Sequence, residues 1–140
     1  MENTATFSFK YPLKILIAEI GRDLRSSTLE MLRTLGYRPE VAADSNEMLT
    51  MTKANSYDVI LMDVHMPEAE QMLPGQLRTG DARRPLVIGL TDSGKPDFQQ
   101  ICLQARMDHC ICMPVDAREF KLQLKACSVL TGNSRVRGRR

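Results

Sequence analysis

Short apolar runs recur along the chain and alternate with segments of helical periodicity. Leu13–Ala18, Val59–Met62 and Pro85–Leu90 are apolar without alternation, which is typical of strands buried on both faces of a parallel sheet. Shorter strands are predicted at Arg38–Ala43 and His109–Cys112. Strands and helices alternate five times, so the sequence predicts an α/β fold: a five-stranded, parallel, doubly wound sheet with helices on both faces.

Capping residues predict where the first two helices begin and end. Asp23 stands at a plausible helix start, where a carboxylate suits the free backbone N–H groups. Gly36 would end that helix as a glycine just beyond its last turn. Asp44 or Ser45 can cap a second helix that runs to about Asn55.

The helical signal is weaker in the second half of the chain. Within residues 68–80, Pro74 and the glycine after it interrupt any long helix, so a short or irregular third helix is expected. Pro96 suits the first position of a fourth helix. Asp116 would cap the last helix, whose predicted core stripe is Ala117, Phe120, Leu124 and Cys127.

Composition indicates one globular domain with polar ends. The chain is 43% hydrophobic and 26% charged, which suits a domain over residues 13–130. Residues 1–12 are expected to be a flexible lead-in and residues 131–140 a basic, disordered tail. That tail carries several arginines and no acid, so the remaining body is slightly acidic although the formal net charge is +2. Nucleic-acid binding by the domain is therefore not expected.

The sequence predicts a cytoplasmic protein with reduced cysteines. It has no apolar stretch long enough to span a membrane, and its N-terminus lacks the apolar core of a signal peptide. The four cysteines stand in apolar segments, where a free cysteine behaves as a small buried hydrophobe. His109 stands beside Cys110 and Cys112, but on a strand such a group is more often core than a zinc site.

Candidate functional residues stand where the predicted strands end. Asp63 follows the most apolar strand directly, and Pro67 forces the chain into a loop soon after it. Glu19, Thr91 and Met113 end three other strands in the same way. Since parallel strands share one carboxyl edge, these side chains would converge where open α/β sheets bind ligands.

These residues carry a resemblance to a known family. The segment 36–67, GYRPEVAADSNEMLTMTKANSYDVILMDVHMP, resembles a response-regulator receiver domain of two-component signalling, and the likeness extends over residues 13 to about 130. It implies a flavodoxin-like receiver fold in which Asp63 accepts phosphate from a phosphohistidine. It also implies a Mg²⁺ site formed by Glu19, Asp63 and the backbone carbonyl of His65. Thr91 then matches the switch hydroxyl.

Several positions depart from the family pattern. Ile20 replaces the second metal-binding acid, and Met113 replaces a lysine that neutralises the phosphoryl group. Cys110 replaces the aromatic residue that follows the switch threonine. Losing a carboxylate weakens a site for a hard cation, and losing the lysine removes a fixed positive charge. The chain therefore resembles a degenerate, or pseudo-, receiver with weak Mg²⁺ binding.

The expected function is a non-enzymatic signalling module that acts by binding proteins, with phosphorylation weak or absent. Its expected partners are a histidine kinase, a phosphotransfer protein or another signalling protein. The alternative is a working receiver phosphorylated on Asp63 with altered kinetics. A third hypothesis, an aspartate-dependent phosphatase, is disfavoured because His65 stands where that chemistry usually needs a second acid.

The last helix carries a second apolar stripe that the predicted core does not need. Leu122, Ala126 and Val129 recur at helical spacing on a different face from the core stripe. A stripe of this kind is a plausible docking ridge. We therefore predict a protein interface there, including a possible homodimer through the last helices.

Overall fold

The computed structural model describes residues 7–18, 21–63, 85–91, 97–104, 107–113 and 116–133. Within these ranges, a short N-terminal helix is followed by five strands and four longer helices. The strands are β1 (Ile15–Ala18), β2 (Glu40–Ala42), β3 (Val59–Asp63), β4 (Leu86–Thr91) and β5 (His109–Cys112). The helices are α1 (Phe7–Lys10), α2 (Arg22–Thr34), α3 (Ser45–Ala54), α4 (Phe98–Gln104) and α5 (Ala117–Leu130). The third helix predicted within residues 68–80 lies outside the described residues.

The five strands form one parallel sheet in the order β2-β1-β3-β4-β5. The order reverses direction between β1 and β3, which is the mark of a doubly wound sheet with helices on both faces. The predicted fold class is confirmed. Three of the strands begin later in the chain than predicted, with β1 starting at Ile15, β2 at Glu40 and β4 at Leu86.

Apolar residues on both sides of the sheet explain the unbroken hydrophobic runs. Along β1, Ile15 and Ile17 pack into the core on one face, whereas Leu16 and Ala18 pack into the core on the other. All four are at most 2% exposed. Successive side chains of a strand point to opposite faces, so a strand covered on both sides needs no polar alternation.

Two acids act as helix caps where the sequence predicted them. The Asp44 carboxylate accepts a 2.8 Å hydrogen bond from the backbone N–H of Glu47 at the start of α3. The Asp116 carboxylate does the same for the backbone N–H of Glu119 at the start of α5, also at 2.8 Å. Each bond satisfies a donor that the first helical turn would otherwise leave unpaired.

Helix α2 ends as predicted but begins differently. Gly36 has a φ of 97°, and its N–H and that of Tyr37 bond back to the carbonyls of Arg33 and Leu32. This geometry favours glycine, which has no Cβ to strain in the left-handed region. At the other end the capping residue is Gly21, with no side-chain cap. The predicted cap, Asp23, lies inside the helix instead.

Residues 7–11 differ from the expected flexible lead-in. Phe7 is 8% exposed, within the core. The Ser8 N–H donates a 3.1 Å bond to the carbonyl of Leu35, and the Tyr37 hydroxyl donates a 2.5 Å bond to the carbonyl of Tyr11. These tertiary contacts tie α1 to the end of α2, so the ordered domain begins before the first strand.

Helix α5 packs on the sheet through the predicted stripe, with one correction. Phe120, Leu124 and Cys127 are buried, whereas Ala117, at the first helical position, is exposed. Its contact with the core therefore begins one turn later than predicted. Beyond the helix, Gly132 adopts a φ of 77° in a hydrogen-bonded turn, so the first residues of the predicted tail are ordered. Residues 134–140 lie outside the described residues.

Two further findings concern the cysteines and membranes. Cys102 of α4 and Cys110 of β5 form a disulfide, so the expectation of four reduced cysteines is wrong for this pair. Cys127 is a buried thiol, as expected. None of the helices within the described ranges combines the length and apolar character needed to cross a bilayer.

Candidate receiver site

Asp63 is the last residue of β3 and stands at the carboxyl edge of the sheet. The four preceding residues of the strand are fully buried, whereas Asp63 is half-buried. It pairs in register with Leu90 of β4, and the residue before it, Met62, pairs with Ala18 of β1. The apolar run thus holds the strand at the centre of the sheet and presents one carboxylate at its end.

Thr91 and Met113 lie at the same edge on the next two strands. Thr91 ends β4, is 1% exposed and pairs with Cys112. Its carbonyl accepts a 2.7 Å hydrogen bond from the backbone N–H of Met113. Neighbouring strands are about 4.8 Å apart, and Asp63 is level with Ile111, two residues before Met113, so Met113 is roughly 12 Å from Asp63. The structure therefore brings together three of the predicted site residues.

The side chain of Met113 belongs to the hydrophobic core. It is 5% exposed and packs in the cluster that also contains Ile111 and Phe120. A thioether has no charge to offer a phosphoryl group, and its burial here is explained by apolar packing. At this position the edge is therefore uncharged.

The described part of the site supplies one carboxylate for a metal. Carboxylate oxygen is the ligand that Mg²⁺ prefers, so Asp63 fits such a site. Within the described residues, no group of three histidine, cysteine, aspartate or glutamate side chains is arranged to hold a metal ion. Glu19 and His65, the other predicted members of the metal site, lie outside the described residues, as does Ile20, which replaces an acid there.

Cys110, predicted as a small residue at the switch position, is covalently bonded instead. It lies on β5 opposite Gly89 of β4, and its disulfide joins this strand to Cys102 of α4. The pairing was not predicted because it depends on how a helix and a strand meet in space. The one sequence signal was that both cysteines fall in consecutive predicted elements.

Two other acids belong to the opposite end of the sheet and act structurally. An Asp58 carboxylate oxygen accepts a 2.7 Å bond from the backbone N–H of Lys14, just before β1. An Asp108 carboxylate oxygen accepts a 2.8 Å bond from the backbone N–H of Val87 in β4. Each acid lies directly before one strand and accepts a hydrogen bond from the backbone near the start of the neighbouring strand. This pattern, an acid directly before a strand, could have been read from the sequence.

The predicted docking stripe lies on the surface of α5. Leu122 is 54% exposed and Val129 is 57% exposed, and Ala126 between them is also exposed. The neighbouring residues Phe120, Leu124 and Cys127 point into the core. The structure therefore separates a core face from an apolar outer face along the same helix.

The central carboxylate, the adjacent buried threonine and the parallel sheet are the arrangement of a receiver-like domain. In agreement, the family model for the response regulator receiver domain matches residues 15–125. The chain belongs to this family. The family predicted from the sequence is therefore confirmed.

The chain resembles receiver segments of much longer sensor kinases. It is 31% identical over 113 residues to the sensor histidine kinase RcsC of Escherichia coli (strain K12). The match covers 80% of this chain and 12% of that kinase. The chain thus spans about an eighth of the length of that curated relative.

Solved structures agree with the fold. The receiver domain of sensor histidine kinase PA1611 from Pseudomonas aeruginosa PAO1 superposes with a TM-score of 0.67 at 27% identity, covering 84% of this chain and 98% of that one. That structure has a magnesium ion coordinated in its active-site cleft. The receiver domain of Ssk1 from Saccharomyces cerevisiae, crystallised with the histidine phosphotransfer protein Ypd1, matches at a TM-score of 0.65 and 18% identity, covering 84% and 90%.

Proposed function

We propose that this chain is an atypical receiver module, located in the cytoplasm, whose Mg²⁺-dependent phosphorylation is weak or absent and which signals by binding proteins. The observation that carries this proposal is the buried, uncharged Met113 beside Thr91 at the edge that Asp63 also reaches. A phosphoryl group gains most from fixed positive charge in a water-poor site. At Met113 this fixed positive charge is missing.

In this proposal Asp63 is the phosphoacceptor and Thr91 is the switch hydroxyl. Asp63 is supported by its half-buried position at the end of the central strand. The support for Thr91 is its place at the end of the adjacent strand. In the weak reaction, a carboxylate oxygen of Asp63 would attack phosphorus. The Thr91 hydroxyl would donate a hydrogen bond to a phosphoryl oxygen.

A weak Mg²⁺ site would use Glu19, Asp63 and the backbone carbonyl of His65. Magnesium binds in proteins through one or two carboxylates and keeps several waters. The side chain of Ile20 has no oxygen atom, so the site has fewer negative charges than the receiver pattern provides. We expect affinity for Mg²⁺ to fall accordingly.

The proposed partners are proteins of a phosphorelay. Support comes from the sensor kinase RcsC, which this chain resembles over a segment, and from the Ssk1 receiver, which binds the phosphotransfer protein Ypd1. A histidine kinase or a phosphotransfer protein would approach the edge that holds Asp63. A second surface, the stripe of Leu122, Ala126 and Val129, would serve self-association or another signalling protein.

Titrating Mg²⁺ while recording amide NMR spectra tests the weak site. We expect resonances near Asp63 to shift without saturating at sub-millimolar metal. The Ile20→Asp variant should bind more tightly because it adds a charged oxygen ligand. Ile20→Asn is the matched control, since it adds a polar side chain without a charge. Tight saturable binding by the unaltered chain would contradict the proposal.

The alternative, a working phosphoacceptor with altered kinetics, is favoured by one observation. Both Asp63 and Thr91 are retained at the ends of adjacent strands. This alternative predicts stoichiometric phosphorylation of Asp63. The amount of phosphate that the chain takes up distinguishes this alternative from the first proposal.

A further inference from the structure

Cys110 is partly accessible to solvent, whereas its disulfide partner Cys102 is buried. Cys102 is 1% exposed, and Cys110, on β5, is intermediate between buried and exposed. Their Cα atoms are 6.3 Å apart, within the range in which two cysteines can be joined without moving the backbone. The two residues therefore differ in chemical access although they are equally placed to form the bond.

The disulfide connects two elements at the margin of the sheet. Strand β5 is an edge strand, hydrogen-bonded to β4 alone within the described sheet. In α4, among the side chains that the structure describes, Cys102 is buried and Gln100, Leu103 and Gln104 are exposed. Among the described side chains of this seven-residue helix, Cys102 is therefore the one that is buried against the rest of the domain.

We propose that Cys110 and Cys102 form a reversible thiol–disulfide site that takes small-molecule disulfides, with glutathione disulfide as the representative reagent. Thiolates attack disulfides through a mixed-disulfide intermediate, and access decides which sulfur attacks first. The partly exposed Cys110 is the attacking residue, and the buried Cys102 is the resolving residue. The proposal does not depend on whether Asp63 is phosphorylated.

The reaction balances in two steps. The Cys110 thiolate, having lost its proton to solvent, attacks one sulfur of glutathione disulfide, forming the mixed disulfide and releasing one glutathione thiolate. The Cys102 thiolate then attacks the Cys110 sulfur, forming the protein disulfide and releasing the second glutathione. The two cysteines lose two electrons and two protons, and one glutathione disulfide becomes two glutathione molecules.

Closing this bond should restrain α4 against β5. The segment between the two cysteines is short, with a sequence separation of 8. Restricting a short loop lowers the number of open conformations that the helix can reach. We therefore expect slower amide exchange across residues 98–104 in the oxidised chain than in the reduced chain.

The test starts from the fully reduced chain, which is treated with glutathione disulfide, quenched in acid and analysed by intact and peptide mass spectrometry. The unaltered chain should lose two of its four alkylatable thiols, mapped to Cys102 and Cys110. Cys102→Ser should accumulate one glutathionyl group on Cys110. Cys110→Ser should leave Cys102 unmodified.

Matched controls come from the remaining cysteines. Cys127→Ser removes a buried thiol from α5 and should oxidise as the unaltered chain does. Cys112→Ser removes the cysteine two positions along the same strand and should also leave the reaction unchanged. Amide hydrogen exchange of the reduced and oxidised unaltered chain supplies a readout that needs no variant.

Three outcomes would overturn the proposal. The reduced chain could remain fully reduced in glutathione disulfide, or the glutathionyl group could appear mainly on Cys112. The oxidised and reduced chains could also exchange equally across residues 98–104, which would refute the restraint on α4. If a serine variant fails to fold, disulfide mapping and hydrogen exchange of the unaltered chain still decide between these results.

Discussion

Replacing Met113 by lysine would return a cation to the edge of the sheet and would cost stability. The methionine side chain is 5% exposed in the core, and burying such a side chain contributes about 1.5–3 kcal/mol. A lysine can keep its methylene groups in that position, but its ammonium must reach solvent or a negative partner. Among the described residues, Asp63 is the carboxylate that ends a strand at this edge of the sheet, roughly 12 Å away.

The free energy of unfolding of the Met113→Lys variant therefore depends on the negative charge of Asp63. We expect Met113→Lys to destabilise the unaltered chain by about 1–2 kcal/mol, because Asp63 offsets part of the lost burial. In an Asp63→Asn background the same substitution should cost about 2–4 kcal/mol, since the carboxylate charge is gone. The coupling between the two sites would then exceed about 0.5 kcal/mol, the usual limit of additivity.

Urea unfolding followed by circular dichroism measures all four members of this cycle. Met113→Leu is the control, because a swap that conserves volume should cost less than about 1.5 kcal/mol. Equal losses for Met113→Lys in both backgrounds would show that the ammonium does not sense Asp63. A lysine variant as stable as the leucine variant would refute the burial of Met113 in the core.

Three other predictions follow from α5. Asp116→Ala should lower stability by about 1 kcal/mol in urea unfolding, because the Glu119 N–H loses its cap; no loss would contradict the capping role. Burial, with Asp108 adding charge repulsion, raises the pKa of Cys127 from 9.0 to about 11. Its contribution to stability should be complete below pH 9 and lost as pH rises towards 11, so Cys127→Ser should show a shallower decline there; parallel curves would refute this. Leu122→Glu with Val129→Lys should fold normally and abolish self-association in analytical ultracentrifugation; unchanged association would place the interface elsewhere.

Local patterns account for what could be predicted from the sequence. The place of Asp63 follows from an apolar run that ends in one acid, and the cap at Asp116 follows from residue type and position. Gly36 was identified in the same way, since a helix end needs a residue that tolerates positive φ. These features depend on neighbours in sequence, so a single chain is enough to find them.

The features that were missed depend on contacts between distant segments. Helix α1 has four residues and is held by bonds to Leu35 and Tyr37 rather than by its own periodicity. The disulfide needs α4 and β5 to meet with both sulfurs in reach. Ala117 fits the apolar period of α5, yet the helix contacts the core from Phe120 onward. Periodicity alone does not show where such contact begins.

The central claim is that the chain keeps a phosphoacceptor while lacking the charges that support its reaction. Intact-protein mass spectrometry after incubation with acetyl phosphate and Mg²⁺ tests it most directly, with Asp63→Asn as the control. We predict little phosphate on the unaltered chain and none on the control. Rapid, near-complete addition of one phosphoryl group, absent from Asp63→Asn, would contradict the claim and establish a working phosphoacceptor.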